Sequence, residues 1–273
     1  MVTALFKNVV MNQQEKFDLI ELAKKVATLG GNTALDYFRI SGLVTKNKGI
    51  GSFDPVTKAD ISSEDRMRKY IKKVRPFDSI IGEEKGILNG SNNFKWVLDP
   101  IDGTRAFISG IPVWTVLVAL LENDSPVLGV VYQPFTGELF VGGFGASDYY
   151  RGGSSNRISV RSCSSLSQAY LASTFPEIGT ELEKKAFDSV VSKVHLCRYG
   201  LDGYAYALLA AGYLDIVVEA GLKIYDVAAT IALIEAAGGI VTNWSGGPAI
   251  EGGQILACGD KLIHKTALDI LSK

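Results

Sequence analysis

Asp99 and Asp102 stand three positions apart at the end of Trp96-Val-Leu-Asp99-Pro-Ile-Asp102, and Gly103-Thr104 follows directly. Upstream, the apolar run Asp78-Ser-Ile-Ile-Gly82 leads into Glu83-Glu84. Two neighbouring strands that each end in carboxylates can build a shared site for a hard cation. Mg²⁺ takes a few carboxylates, completed by substrate phosphate oxygens and water. The Gly-Thr backbone can approach such a phosphate closely, so the pattern points to Mg²⁺-dependent phosphate chemistry. Asp-Pro and Asp-Gly are also ordinary turn dipeptides. What favours a site is the second acidic cluster and the placement of both after β-rich runs, where α/β sheets form their sites.

Two further aspartates have bland readings of their own. Asp226 precedes the Ala-rich run Val227–Ala237 and suits a helix N-cap. One of its oxygens can cap while the other binds metal. Asp60 lies in Asp54-Pro-Val-Thr57-Lys-Ala-Asp60, where Thr57 and Asp60 match the two ends of a capping box. Other chemistries fit less well. An Asp-x-Asp nucleophile and acid pair needs a spacing of two, and Asp99 and Asp102 are three apart, so they would not project alike from an extended strand. Neither a Gly-x-Ser-x-Gly elbow nor a P-loop signature is present. His195 and His264 are the only histidines and read as structural or solvated.

The elements that must position these residues follow from periodicity. Helices are predicted at 14–38 and 59–74, separated by a Gly/Lys/Ser-rich loop that ends at Asp54-Pro55. Strands follow near 78–82 and 95–99. The segments 113–121, 126–133 and 138–142 read as a β-meander, with turns at Asn123-Asp124-Ser125-Pro126 and Phe135-Thr136-Gly137. The second half alternates: strand 169–173, helix 180–192, strand 194–198, helix 203–211, strand 214–218, helix 227–237, strands 240–242 and 255–258, and helix 261–271. Such alternation implies a sheet covered by helices. The Gly/Ser-rich segment 151–165 is the expected boundary, dividing an N-terminal α+β half (1–155) from a C-terminal α/β half (156–273).

A chain of 273 residues, 47% hydrophobic, can bury a sizeable core in one large domain or two joined ones. A formal net charge of −1 argues against a nucleic-acid surface, which needs a basic excess. It leaves an anionic substrate open, because bound metals can supply the positive charge. Cys163, Cys197 and Cys258 are scattered and odd in number, which fits a reduced cytoplasmic protein. The longest apolar run, Ile111 to Leu121, is too short to span a bilayer, and the N-terminus has no signal-peptide core.

Four segments together resemble the inositol monophosphatase superfamily of Mg²⁺-dependent, lithium-sensitive phosphatases: Val56-Thr-Lys-Ala-Asp60, Ile81-Gly-Glu-Glu84, Trp96 to Thr104, and Tyr225-Asp-Val-Ala228. Their order and spacing cover nearly the whole chain. Tyr225 departs from the family's usual Trp, which leaves the neighbouring carboxylate intact and bears on the pocket wall. The resemblance implies an αβαβα layered sandwich of the α+β or α/β type and a homodimer. It implies that Glu83, Asp99 and the carbonyl of Ile101 hold one Mg²⁺, and that Asp99, Asp102 and Asp226 hold a second. A third, weaker ion would sit near Glu83. Asp60, Thr104 and Glu83 are the implied catalytic residues, with Thr104, supported by Asp60, orienting and deprotonating water. The Gly103 and Thr104 amides would bind phosphate.

The resemblance implies that the substrate is a small phosphorylated metabolite. The run Asp102-Gly-Thr-Arg105-Ala-Phe, with Arg198-Tyr-Gly-Leu-Asp202 and Glu219-Ala-Gly-Leu-Lys223, resembles the histidinol-phosphatase branch. Arg198, Asp202 and Glu219 are the implied substrate residues, and two acids suit the ammonium of histidinol. Asp202 also reads as an N-cap of the 203–211 helix. Inositol 1-phosphate, or a broad sugar and nucleotide phosphate range, is the competing substrate. A silent RNA-binding or regulatory protein is the alternative from another class, and the intact acidic set argues against it.

Overall fold

Side-chain alternation along the strands decides the layering. In β5 (Phe94–Asp102), Trp96 and Leu98 point to one face while Val97 points to the other. The computed structural model describes residues 11–47 and 55–273, and β5 lies inside an eight-stranded sheet. Beside it run β3 (Ser79–Gly82) and the short edge strand β4 (Gly86–Leu88). On its other side lie β6 (Thr115–Glu122), β7 (Ser125–Gln133), β8 (Glu138–Gly143), β9 (Ala146–Arg151) and β10 (Ser154–Arg157). A separate small pair, β1 (Thr45–Asn47) with β2 (Pro55–Thr57), precedes them.

One face of this sheet carries α1 (Gln13–Leu35) and α2 (Lys58–Val74). Leu22, Val26, Met67 and Ile71 pack there on Trp96, Leu98, Val116 and Val118. The opposite face carries α5 (Gly203–Ala210) and α6 (Ile224–Ala236). Behind those helices stands a five-stranded sheet in the order β12 (Leu196–Tyr199), β11 (Tyr170–Ser173), β13 (Ile216–Leu222), β15 (Gly253–Cys258), β14 (Ile240–Thr242). Its far face is covered by α4 (Glu181–Val191) and α7 (Lys261–Leu271) through Phe187, Val190, Ile263 and Ala267. The result is helix, sheet, helix, sheet, helix: the expected αβαβα sandwich.

The middle helix layer sits very close to the first sheet. A Cβ at Gly129 of β7 would run into the backbone of Ala229, and one at Gly142 of β8 into that of Leu233. Bare backbone on the strands and Ala228, Ala229 and Ala232 on α6 allow this approach. It brings the first turn of α6 to the end of β5.

Every predicted helix and strand has a counterpart, with ends displaced by at most four residues. Sequence reading missed β1, β2, β4, β9, β10 and the five-residue helix α3 (Thr104–Ile108). They are short or largely polar, so period-2 and period-3.6 signals are weak. Gly152-Gly153, with φ of 58° and 83°, forms the turn of the β9–β10 hairpin, so the Gly/Ser-rich segment begins inside the first sheet. The reading of the N-terminus and the 48–54 part of the loop lie outside the described residues. No described helix is long and apolar enough to cross a membrane.

Candidate active site

Three carboxylates converge where β5 ends. The β5–β6 ladder shifts register between Asp99 and Asp102, and the Ile101 amide donates to Asp99 Oδ1 at 3.1 Å. Asp102 Oδ2 accepts from Thr115 Oγ1 at 3.2 Å and from the Gly203 amide at 2.5 Å, which ties the end of β5 to the start of α5. Asp226 comes from the first turn of α6 and accepts the Lys223 amide at 2.6 Å. One oxygen from each of Asp99, Asp102 and Asp226 lies within 4.8 Å of the others. Glu83, just past β3, stands at the edge of this group and shares a side-chain hydrogen bond with Asp99.

Burial and mutual repulsion show in the protonation of these acids. Burial pushes Asp99 well above the usual carboxylate range, and the charges of Glu83, Asp102 and Asp226 push further. Asp102 is raised by burial and by Asp202 and Asp226, against the Gly203 hydrogen bond. Asp226 is raised by burial to about 7 despite the Lys223 amide. A group of oxygen ligands that resists ionisation in this way is what a hard cation relieves.

Next to the cluster, Gly103 takes φ 87° and opens α3. This left-handed turn carries Thr104 away from the strand; glycine accepts it without the Cβ penalty. Thr104 Oγ1 lies 3.0 Å from the Ile101 carbonyl and 3.3 Å from Asp60 Oδ1. The other Asp60 oxygen accepts the Thr57 amide at 2.8 Å and Thr57 Oγ1 at 2.6 Å. The predicted capping box is therefore present, and it leaves Asp60 Oδ1 for Thr104.

Asp202 occupies the N-cap position of α5 but makes no side-chain cap. Its backbone is at φ 49°, ψ −140°, a conformation that costs a non-glycine residue about 1–3 kcal/mol. Its carboxyl group packs on Gly103, so that a Cβ there would lie 3.1 Å from it. Burial raises Asp202 to about 6, and Arg105 opposes the shift. Arg105 also lies 4.8 Å over the Phe175 ring. Glu219 of β13 is buried and raised to about 8 by that burial, although the Thr174 amide and hydroxyl donate to it at 2.6 and 2.9 Å.

Most of the predicted residues are thus brought together, and Arg198 stands apart from them in its exposure. It is exposed on the edge strand β12, opposite Ala172, and no hydrogen bond or ion pair described for the site involves it. Asp226 is not an N-cap, because α6 starts earlier, at Ile224, and places it in the first turn. Sequence reading gave no role to Thr174, and Tyr206 only closed the segment 198–206 expected to set specificity. Tyr206 is 2% exposed, and among the described residues its hydroxyl has no hydrogen-bond partner. Burial, then the charges of Glu219, Asp102 and Asp226, hold its phenol well above the usual range. In the sequence it looks like one more apolar-face residue of α5, so no signal of its own marked it. His195 stacks on Tyr170, and His264 Nε2 pairs with Thr242 Oγ1 at 2.9 Å; both are structural, as expected.

Comparison with known proteins agrees with this arrangement. Residues 15–273 match the model of the inositol monophosphatase family. The bifunctional phosphatase IMPL2, chloroplastic, of Arabidopsis thaliana is 41% identical over 90% of this chain and 72% of its own. A histidinol-phosphatase of Streptomyces coelicolor is 31% identical over 94% of this chain and 97% of its own. The solved structure of an inositol monophosphatase from Zymomonas mobilis superposes with a TM-score of 0.83 at 37% identity, covering 96% of this chain and 100% of that one. With the carboxylate cluster, the Thr104–Asp60 contact and the αβαβα layers in place, the chain belongs to the inositol monophosphatase family and is a phosphoric monoester hydrolase.

Proposed function

We propose that this chain is a Mg²⁺-dependent hydrolase of phosphate monoesters whose favoured substrate is L-histidinol phosphate. The donor set fits the ion. It consists of half-buried or buried carboxylates and a backbone carbonyl, all hard oxygens. Glu83, Asp99 and the Ile101 carbonyl would hold one ion, and Asp99, Asp102 and Asp226 a second. Bound Mg²⁺ would supply the positive charge that makes water nucleophilic near neutral pH and stabilises the leaving oxygen.

The chain's own groups account for the rest. Thr104 Oγ1 orients a water molecule and takes its proton while passing its own to Asp60 Oδ1, 3.3 Å away. The amides of Gly103 and Thr104, at the start of α3, would receive phosphate oxygens. Tyr206 has a buried donor to offer a ligand oxygen.

The observation that carries the substrate choice is Asp202. It is held in a strained backbone conformation with its carboxyl group against the phosphate turn. With Glu219, which senses its charge, it forms an acidic wall suited to an ammonium group. Pairing of this kind rejects neutral analogues. Inositol 1-phosphate is the competing substrate, in keeping with the name of the Zymomonas mobilis relative. A cytoplasmic setting suits three cysteines that form no disulfide, and a homodimer is what the family resemblance implies.

Phosphate release with Mg²⁺ tests the reading. The expected result is a kcat/KM for histidinol phosphate about 100-fold above that for inositol 1-phosphate, or about 2.7 kcal/mol. The reverse preference would overturn the substrate choice. No release from either would return attention to a non-catalytic binding role.

A further inference from the structure

Glu64 and Arg68 lie outside the site described above, yet they hold the turn on which Glu83 rides. Asp60, Glu64 and Arg68 follow at intervals of four on α2 and share one face of that helix. Glu64 is fully buried, and a buried carboxylate needs partners for both oxygens. Its Oε2 accepts the Glu84 amide at 2.7 Å. Its Oε1 accepts the Lys85 amide at 3.1 Å and Arg68 Nε at 2.6 Å. Arg68 also donates Nη2 to the Gly86 carbonyl at 2.5 Å, and Lys85 pairs with Asp65 on the outside.

The β3–β4 hairpin pairs Gly82 with Gly86, so residues 83–85 form its turn. The three consecutive residues after Glu83 are thus fastened to one helix face. Gly82 has no room for a side chain, because a Cβ there would run into the Glu64 carboxylate and the Arg68 guanidinium. On the other side, Gly82 is in register with Leu98, and the Glu83 amide donates to the Leu98 carbonyl at 3.2 Å. Glu83 is therefore gripped from both directions, and its carboxylate is left facing Asp99.

We infer that Glu64 and Arg68 are positioning residues that set where the Glu83 carboxylate stands relative to Asp99, and through it the affinity of the site for Mg²⁺. This rests on the Mg²⁺ reading above. Removing Glu64 as an acceptor strands two amides of the turn, which then moves toward water and takes Glu83 with it. Loss of the groups that orient metal ligands costs about 10–100-fold in affinity.

Glu64→Gln keeps the side chain's shape but sets an amide donor against a backbone N–H. The variant is expected to fold, with a thermal transition close to that of the parent chain. Calorimetric titration with Mg²⁺ alone is expected to show binding at least about tenfold weaker. Gly82→Ala, which disturbs the same clamp from the strand side, is expected to do likewise. The Mg²⁺ concentration for half-maximal phosphate release rises in parallel, while kcat at saturating Mg²⁺ recovers. Parent-like Mg²⁺ affinity in folded Glu64→Gln would overturn the inference and leave the pair a stabilising contact only. Should that variant not fold, Glu64→Met combined with Arg68→Met removes both charges together and decides by the same titration. A parent chain that binds no Mg²⁺ would overturn the metal reading itself, an outcome distinct from the others.

Discussion

Asp202 separates two effects that usually arrive together. Its side chain supplies a carboxyl group to the pocket wall, and its backbone sits at φ 49°, ψ −140°. Glycine adopts that conformation freely, alanine does not. Asp202→Gly and Asp202→Ala therefore remove the same carboxyl group but differ in strain. Both are expected to lower kcat/KM for histidinol phosphate by about tenfold or more, roughly 1.4 kcal/mol, with little change for inositol 1-phosphate. The glycine variant is expected to be more stable than the alanine variant by about 1 kcal/mol. Denaturant titration of the two reads the difference; equal stabilities would mean that the backbone there is unstrained. The sequence pointed to Asp202 as an extra acid and equally as an N-cap. Nothing local could decide, because its carboxyl group packs on Gly103, which comes from another part of the chain. Asp99, Asp102, Thr104 and Asp60 were legible because each sits in a short motif whose geometry is local. Glu64 and Arg68 were not, since an ion pair four residues apart on a helix reads as a solvated face until the β3–β4 turn closes over it.

The same division holds for elements. Strands that read as continuous apolar runs bounded by turn residues, such as β6 and β7, and helices with a clear apolar stripe could be placed from the sequence. The start of α6 could not, because Ile224-Tyr225-Asp226 precedes the Ala-rich run and carries no helical stripe of its own. Yet α6 is the element that delivers Asp226, and two glycines of the first sheet set its height. Gly129 lies under Ala229, one turn from Asp226, whereas Gly142 lies under Leu233, a turn further on. Gly129→Ala and Gly142→Ala each force the helix away from the sheet and are expected to cost about 1–3 kcal/mol, as overpacking does. Only the lift near Ala229 reaches the carboxylate directly. Gly129→Ala is thus expected to weaken Mg²⁺ binding more than Gly142→Ala at similar loss of stability. Calorimetry paired with thermal melts checks this. Equal effects on Mg²⁺ would show that α6 tilts as a rigid rod.

Packing the five layers gathers like charge in one place. Asp99, Asp102, Asp202, Glu219 and Asp226 end up together although the formal net charge of the chain is only −1. The apolar layers stabilise the fold and the acidic group opposes it, so stability depends on pH. The ordinary aspartate value is about 3.9, and Asp226 is raised to about 7. Between those values the folded chain binds more protons than the unfolded one. Its contribution to stability is therefore fully present below about pH 4, falls as pH rises through about 7, and levels off above. Asp226→Asn mimics the protonated acid and keeps an acceptor for the Lys223 amide. In chelator, its Tm relative to the parent chain is expected to be higher at pH 8 than at pH 5. Excess Mg²⁺ reverses the order. At about 100 times its Kd the ion adds about 2.7 kcal/mol to the parent, or about 5 °C in Tm for a chain of this size, and less to a variant short of one ligand. A Tm difference that ignores pH would mean that Asp226 is already ionised at pH 5, and that its neighbours exert no pressure on it.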